Sequence, residues 1–299
     1  MVKRAASLAK RGNWTSAAAR RLLAHAGNPA TIDEAVRIVA ADVLAGVVCP
    51  PTDLEAVSAR AGAARLLPED LPFSGELRRE GGEYVIVYAA HARWARQRFT
   101  IAHEIGHLIF EKTGANPPRV GRELERLCDM LATEILLPAA CFKQQAGSRP
   151  SLRQVFALAK TFEASLAATT IRCCELGEVS AFEVQRGMIT WAHGIVRTLA
   201  PPLQNSVARA VAGEWIDEVV TLPDRGIPRD WRLEGVSLAR GTGMGRALFL
   251  LQPWRPDMPV APGESGADLR GGELESRSCA VVGQEGNAGA WSGALGRAR

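Results

Sequence analysis

The stretch HEIGH, His103–His107, stands inside the apolar run 99–110 and has the pattern H-E-x-x-H. Two histidines four residues apart lie one turn apart on the same face of an α-helix, so their imidazoles can bind one zinc ion. Glu104 between them can then act as a general base toward a zinc-bound water. We expect Thr100 to cap the N-terminus of this helix. The competing interpretation is a chance pentapeptide on a buried helix with hydrogen-bonded histidines.

A zinc peptidase site needs a third protein ligand and an open position for water. The next histidine along the chain is His193, which lies far away in a region of different composition. Residues 122–137 carry an apolar stripe of helical period that ends at Pro138, and they predict a second helix with several acidic side chains. We therefore expect an acidic residue of this second helix to be the third ligand.

Three glutamates of the second helix are candidates for this ligand. Glu125 lies on the flank of the apolar stripe beside Cys128, whose small side chain allows another helix to approach closely. Glu123 is near the helix start, where acidic residues favour the helix dipole without any metal. Glu134 points away from Glu125 by helical phase. The pattern favours Glu125, and Asp129 one turn further along could orient a histidine from behind.

The two helices together resemble the signatures of the ImmA/IrrE-type zinc peptidases. Residues 96–107, RQRFTIAHEIGH, resemble that family's RxRFTxAHExGH motif. Residues 125–138, ERLCDMLATEILLP, are similar to its ExxANxFAxxLLMP motif. The second motif differs at Cys128-Asp129, where the family usually has Ala-Asn, and at Leu131, where it usually has Phe.

The resemblance covers about residues 50–177 and implies both a site and a reaction. It implies that His103, His107 and Glu125 bind zinc. Glu104 would take a proton from the attacking water and return it to the leaving amine. The implied substrate is a regulatory protein, typically a helix-turn-helix transcriptional repressor, cleaved during a stress or mobile-element response. Four further segments look like the family's short helix, two strands and a following helix: 53–62, 75–77, 83–88 and 155–165.

The mechanism also calls for a donor that stabilises the oxyanion of the tetrahedral intermediate. His91, Arg98 and Tyr88 lie just upstream of the motif, and spacing does not choose among them. Two other classes of function stay open. One is a non-catalytic zinc-bound regulator that binds a transcription factor, and the other is a hydrolase of non-peptide amides. The general base Glu104 argues against the regulator, since a structural zinc site does not need one.

The chain as a whole is expected to be an α+β protein with a zincin-like, mostly helical peptidase core and a small sheet. The predicted parts are an N-terminal helical segment 1–49, the zinc peptidase core 50–148, a helix-turn-helix-like helical buttress 149–177, a C-terminal α+β module 178–254 suited to regulation, and a disordered tail 255–299. Within the C-terminal module we predict a hairpin turning at Arg186-Gly187, a helix over 207–220, and strands over 236–239 and 247–252.

Composition predicts a cytoplasmic protein. No apolar run approaches the ~18 residues of a membrane span, and the N-terminus lacks the apolar segment of a secretory signal. The six cysteines have no framework spacing, which suits a reducing compartment. The formal net charge is +4, and a basic arm precedes the first acidic residue, Asp33. Such an arm could contact nucleic acid or resemble an arginine-rich organelle transit peptide, but we interpret it as a solvated terminus and do not expect direct binding of nucleic acid.

Overall fold

A computed structural model of the chain describes residues 14–113, 121–238 and 245–255. These residues form two compact units. Unit one contains the described residues up to 139 together with 162–164, and unit two contains 140–161 and the described residues from 165 onward. Each unit combines helices with a sheet, which confirms the α+β prediction.

Several predictions concern residues outside these ranges. The basic arm before residue 14, the glycine-rich turn at 241–244 and the tail from residue 256 lie outside the described residues. Within the described parts of the chain, none of the helices combines the length and the apolarity that crossing a bilayer requires.

Unit one is built around a small mixed sheet. In chain order it contains α1 (Ala17–His25), α2 (Ile32–Leu44), α3 (Leu54–Ala61), β1 (Ala63–Glu69), β2 (Gly75–Glu80), β3 (Glu83–Ala89), α4 (Trp94–Lys112) and α5 (Arg122–Leu136). β3 is the central strand, parallel to β1 and antiparallel to β2. The predicted helix over 122–137 is confirmed as α5, and the segments likened to a short helix and two strands are confirmed as α3, β2 and β3.

The first two helices pack on the helix that carries Glu125. α2 packs against α5, and α1 packs against both. Thr31 caps α2 through a hydrogen bond of 3.2 Å from the Glu34 amide to Thr31 Oγ1. The Glu34 carboxylate reaches back and accepts a hydrogen bond from the Ala30 amide. This reciprocal cap fixes the start of α2, whose apolar face is buried.

The prediction that Thr100 caps the HEIGH helix is wrong. α4 begins six residues earlier, at Trp94, and Arg93 occupies the N-cap position without a side-chain hydrogen bond. Thr100 is buried inside the helix, where its methyl group lies so close to Gly75 that a Cβ there would be 2.4 Å from Thr100 Cγ2. Thr100 therefore marks the place where β2 crosses α4.

Unit two is built around an antiparallel sheet of five strands. It contains α6 (Ala139–Ala146), α7 (Leu152–Thr161), α8 (Leu166–Leu176), β4 (Ser180–Gln185), β5 (Met188–His193), α9 (Pro201–Val211), β6 (Ile216–Asp224), β7 (Ile227–Ser237) and β8 (Arg246–Pro253), of which α6 begins one residue before the unit boundary. The strand order is β5-β4-β8-β7-β6. Thus α7 and α8, predicted as a separate buttress, group with the C-terminal strands. The five-part division with its boundaries stays a prediction.

The predictions for the C-terminal strands meet mixed outcomes. The hairpin at Arg186-Gly187 is confirmed, since both residues have positive φ angles, as a two-residue type I′ turn requires. The helix predicted over 207–220 is wrong, because α9 ends at Val211 and β6 begins at Ile216. Gly213, with a φ of 102°, ends the helix, and the β-branched residues that follow favour a strand.

The two faces of the unit-two sheet are buried in different ways. One face packs on α9 through an apolar core in which the Phe182 and Phe249 rings stack at 4.7 Å. The other face carries Glu234, whose carboxylate accepts a hydrogen bond from the Leu152 amide at the start of α7. Burial raises the pKa of Glu234, although the Leu152 amide and Arg232 act in the opposite direction. This buried carboxylate anchors the N-terminus of α7 on the sheet.

Candidate metal centre

The two motif histidines meet on one face of α4, as their spacing predicts. The Nε2 atoms of His103 and His107 are 3.1 Å apart, and the ring centroids are 4.9 Å apart. Both side chains are mostly buried, with exposed fractions of 16% and 19%. Two imidazole nitrogens at this distance can share one cation.

Glu125 on α5 completes this group. Its Oε2 atom lies 3.3 Å from His103 Nε2, and its Oε1 atom lies 3.6 Å from His107 Nε2. Hydrogen bonds with His103 and His107 hold the pKa of Glu125 well below its usual range. The carboxylate is therefore ionised and faces both imidazoles.

The rival glutamates have other partners. Glu123 accepts hydrogen bonds from the backbone amides of Ser16 at 3.1 Å and Thr15 at 3.5 Å. Glu134 is buried and accepts a hydrogen bond from the Ala139 amide at 2.8 Å, just beyond the end of α5. Among these three glutamates, Glu125 is the one that the structure brings to the histidines.

The donor atoms have the spacing that a zinc ion needs. One ligand atom from each of His103, His107 and Glu125 can be chosen so that all three lie within 4.8 Å of one another. Zn–N bonds of about 2.0–2.1 Å in a tetrahedral site place neighbouring donors about 3.3 Å apart. The Nε2–Nε2 separation of 3.1 Å, and the separations of 3.3 and 3.6 Å from His103 and His107 to the two different oxygens of Glu125, lie around this value. The residues therefore fit zinc in both chemistry and geometry.

Asp129 contacts His103 on the side of the imidazole away from Glu125 and His107. Its Oδ1 atom lies 2.9 Å from His103 Nδ1, which donates to the carboxylate and leaves Nε2 directed toward Glu125. Burial alone would lower the pKa of His103, but the hydrogen bonds with Asp129 and Glu125 outweigh it and raise the pKa to about 9. The aspartate in place of the family's usual asparagine thus keeps an acceptor at this position.

Residues 60–173 match the family model described as Peptidase_M78, IrrE N-terminal-like domain. This part of the chain is similar to an IrrE N-terminal-like domain. The match includes α4 and α5 in full, so the histidines, Glu125 and Asp129 all lie inside it. The matched model describes a metallopeptidase family, which agrees with the resemblance noted from the two motifs.

Other comparisons add little to this assignment. A search of curated proteins found no significant match. Among solved structures, 11 chains match. One of them is a Mycobacterium tuberculosis transcriptional regulator, with a TM-score of 0.48 and 14% sequence identity over 79% of this chain and 80% of that chain. A similarity this distant carries no argument about function.

Glu104, which is inside the matched range, lies between the two histidines in sequence and is 8% exposed. Burial raises the pKa of Glu104, while the charges of His107 and His103 act to lower it. A carboxylate with a raised pKa takes up a proton more readily near neutral pH than an exposed one does. This environment suits a general base.

The close approach of α4 and α5 depends on a glycine. A Cβ atom built on Gly106 would lie 3.0 Å from Cys128 Cα and 3.1 Å from Cys128 Cβ, so the contact is with the backbone of α5. Cys128 is fully buried, and burial raises the pKa of its thiol well above the ordinary value. A protonated, inaccessible thiol is unreactive. Cys128 therefore acts as a small packing residue at the helix crossing.

The three candidates for the oxyanion donor lie in different surroundings. Arg98 is buried, and its guanidinium donates to the Thr52 carbonyl at 2.8 Å and pairs with Glu163 at 3.4 Å. His91 is exposed and lies 3.5 Å from Asp70. Arg98 thus has structural partners already, and the choice between His91 and Tyr88 stays open.

Proposed function

We propose that this protein is a zinc-dependent metallopeptidase that hydrolyses a peptide bond in a regulatory protein. The observation that carries the proposal is the convergence of His103, His107 and Glu125, whose ligand atoms lie within 4.8 Å of one another, with Asp129 hydrogen-bonded to His103. The buried Glu104, next to His103 on α4, supports a catalytic centre over a purely structural one. Structural zinc sites have four protein ligands and do not need a general base.

The chemistry follows from the residues in place. A zinc ion held by the two histidines and Glu125 supplies a Lewis acid, which lowers the pKa of water and polarises a carbonyl group. Glu104 accepts the proton of the attacking water and donates it to the leaving amine. Asp129 holds the His103 ring in a single orientation, so that the proton on Nδ1 stays away from the ligand atom Nε2.

An extended peptide also has a place to bind. Among the described strands, β2 forms backbone hydrogen bonds with β3 alone, so one edge of β2 is unpaired. Gly75 at the start of β2 touches Thr100, one helical turn before Glu104. A substrate segment that added to this edge as a further strand would run past the proposed base. This arrangement supports a peptide over a small amide as substrate.

The identity of the substrate rests on the resemblance of the two motifs. It supports a helix-turn-helix transcriptional repressor, cleaved in the cytoplasm during a stress or mobile-element response. Direct binding of nucleic acid by this protein is not part of the proposal.

The decisive experiment compares zinc content and cleavage in matched variants. Purified full-length protein should contain one zinc ion per chain and should cleave candidate helix-turn-helix repressors. Glu104→Gln should keep the zinc and lose nearly all turnover, because it removes proton transfer and no ligand. Glu111→Gln, a partly exposed glutamate further along α4, should keep both. His107→Ala should lose the zinc.

Three outcomes would contradict the proposal. Substantial cleavage by Glu104→Gln would rule out this residue as the base. Zinc binding without cleavage of any protein or peptide would favour the non-catalytic regulator, and cleavage restricted to small amides would favour the non-peptide hydrolase.

A further inference from the structure

The first turn of α5 carries the proposed ligand Glu125 but has no capping side chain of its own. Gly121 is the N-cap residue and forms no side-chain hydrogen bond. Helix ends have unsatisfied backbone groups and open more readily than helix centres. A metal ligand, in contrast, must be held within about 0.5 Å of its working position. The first turn of α5 therefore needs a restraint from elsewhere in the fold.

Residues 14–16, which we name the clip, supply such a restraint. The Ser16 and Thr15 amides donate hydrogen bonds to the Glu123 carboxylate at 3.1 and 3.5 Å. The guanidinium of Arg126 lies 4.7 Å from the centroid of the Trp14 ring, within the range of a cation–π interaction. Glu123 and Arg126 stand on either side of Glu125 in the sequence, so the clip contacts the turn that holds the ligand.

The clip itself is held in place by α1. Ser16 is the N-cap of α1, and its Oγ atom accepts a hydrogen bond from the Ala19 amide at 3.1 Å. The Arg20 guanidinium donates to the Thr15 carbonyl at 2.7 Å. α1 buries its apolar side against α2 and α5. Because α1 fixes the clip, the clip can in turn restrain the first turn of α5.

We propose that the clip positions the metal centre: Trp14, Thr15 and Ser16 hold the first turn of α5 so that Glu125 stays opposite His103 and His107. The proposal rests on the proposed function in that it takes Glu125 as a ligand. Trp14, Glu123 and Arg126 are positioning residues, since none of them reaches the donor atoms. Loss of the clip removes no ligand residue but lets the turn open, so that Glu125 can move away from the histidines.

The test uses full-length variants of the clip and a matched control. Trp14→Ala removes the ring from Arg126, Glu123→Ala removes the acceptor, and Trp14→Phe retains a ring. Trp215→Ala is the control, because it removes an indole that lies 5.2 Å from the guanidinium of Arg153 in unit two. Two quantities are measured: amide hydrogen exchange of residues 121–127 without added metal, and the zinc dissociation constant by competition with a chelator.

Trp14→Ala and Glu123→Ala should speed exchange in the first turn of α5 and weaken zinc binding about tenfold, the lower end of the losses typical of supporting residues at metal sites. The rest of α5 should exchange as in the unchanged protein. Trp14→Phe should restore most of the affinity, and Trp215→Ala should change neither quantity. In the cobalt-substituted protein, the visible spectrum should shift in the clip variants, because the ligand field changes when Glu125 moves.

If both clip variants showed the same amide exchange and the same zinc affinity as the protein of original sequence, the inference would be wrong. The proposed function would still stand, provided that the protein of original sequence binds zinc. Equal losses in Trp215→Ala would also overturn the inference, because they would indicate general destabilisation. If the unchanged protein bound no zinc, the proposed function would fail, and the inference with it, since it concerns a ligand.

Discussion

Gly106→Ala tests the geometry around the metal centre, because two physical effects predict opposite changes in the stability of the protein. The substitution adds one methyl group inside α4. Alanine is a better helix former than glycine by about 1 kcal/mol, so propensity alone predicts a more stable protein. The methyl carbon, however, would lie 3.0 Å from the α-carbon of Cys128 on α5. An atom of the backbone cannot rotate away as a side chain can.

The size of the effect follows from this distance. Non-bonded carbon atoms prefer separations of about 3.5–4.0 Å, so α5 must move by roughly 0.5–1 Å. Overpacking of this kind typically costs about 1–3 kcal/mol, which offsets the gain in propensity and leaves a net loss of about 1 kcal/mol. Glu125 stands three residues before Cys128 on the same face of α5 and would move with it. Zinc affinity should therefore fall about tenfold or more.

Urea denaturation and chelator competition measure the two effects separately. The expected result is a lower denaturation midpoint and a weaker zinc complex in the same protein. A Gly106→Ala protein that is more stable than the original and binds zinc with unchanged affinity would show that propensity decides and that the helix contact is unimportant. The positions of Glu125 and the histidines would then be independent of this crossing.

Three further outcomes follow from other contacts. Asp129→Leu removes the acceptor behind His103, so zinc affinity should fall about ten- to hundredfold by chelator competition, and an unchanged affinity would disprove the supporting role. Arg98→Ala leaves the Thr52 carbonyl buried without this donor and should lower the free energy of unfolding by about 1–3 kcal/mol in urea titrations, whereas a neutral result would show that water replaces the guanidinium. Because burial raises the pKa of Glu234, the native state binds its proton more tightly than the unfolded chain, and stability falls as the pH rises from near 4.5 through the native pKa. Glu234→Gln should remove this part of the pH dependence, and an identical pH profile would contradict the assignment.

The candidate site could be predicted well from sequence because its geometry is mostly local. The four-residue spacing of the histidines fixes their common face on α4 without any knowledge of the fold. The choice of Glu125 over Glu123 and Glu134 needed only the phase of one further helix and the resemblance of its motif. In the structure Glu125 lies beside both histidines, while each rival carboxylate accepts backbone hydrogen bonds elsewhere, and the ligand assignment stays a prediction.

The errors in the fold predictions have physical causes. Thr100 looks like a helix cap because of its residue type, but burial against Gly75 keeps it inside the helix. The segment after Val211 looks helical because alanine and apolar residues continue past the true end, and Gly213 breaks the pattern. In the first case the tertiary environment outweighs local propensity, and in the second a local glycine outweighs the apolar pattern.

The role of the N-terminal helices could not be inferred in the same way. An apolar face on α2 predicts that the helix is buried, but not which element covers it. The contact between Ser16 and Glu123 joins residues 107 positions apart, and no local sequence pattern predicts it. The sequence therefore suggested a peptidase core beginning near residue 50, whereas helices before that point pack on the ligand helix.

The buried thiol at the crossing of α4 and α5 gives the protein a built-in reporter of local opening. Cys128 is buried, while Cys49 and Cys141 are partly exposed, so a thiol reagent would modify these two before Cys128. Cys128 becomes accessible only when the two ligand helices separate. Its rate of labelling, followed peptide by peptide, would report how often they do so. Bound metal should slow that rate, because the ligands tie one helix to the other.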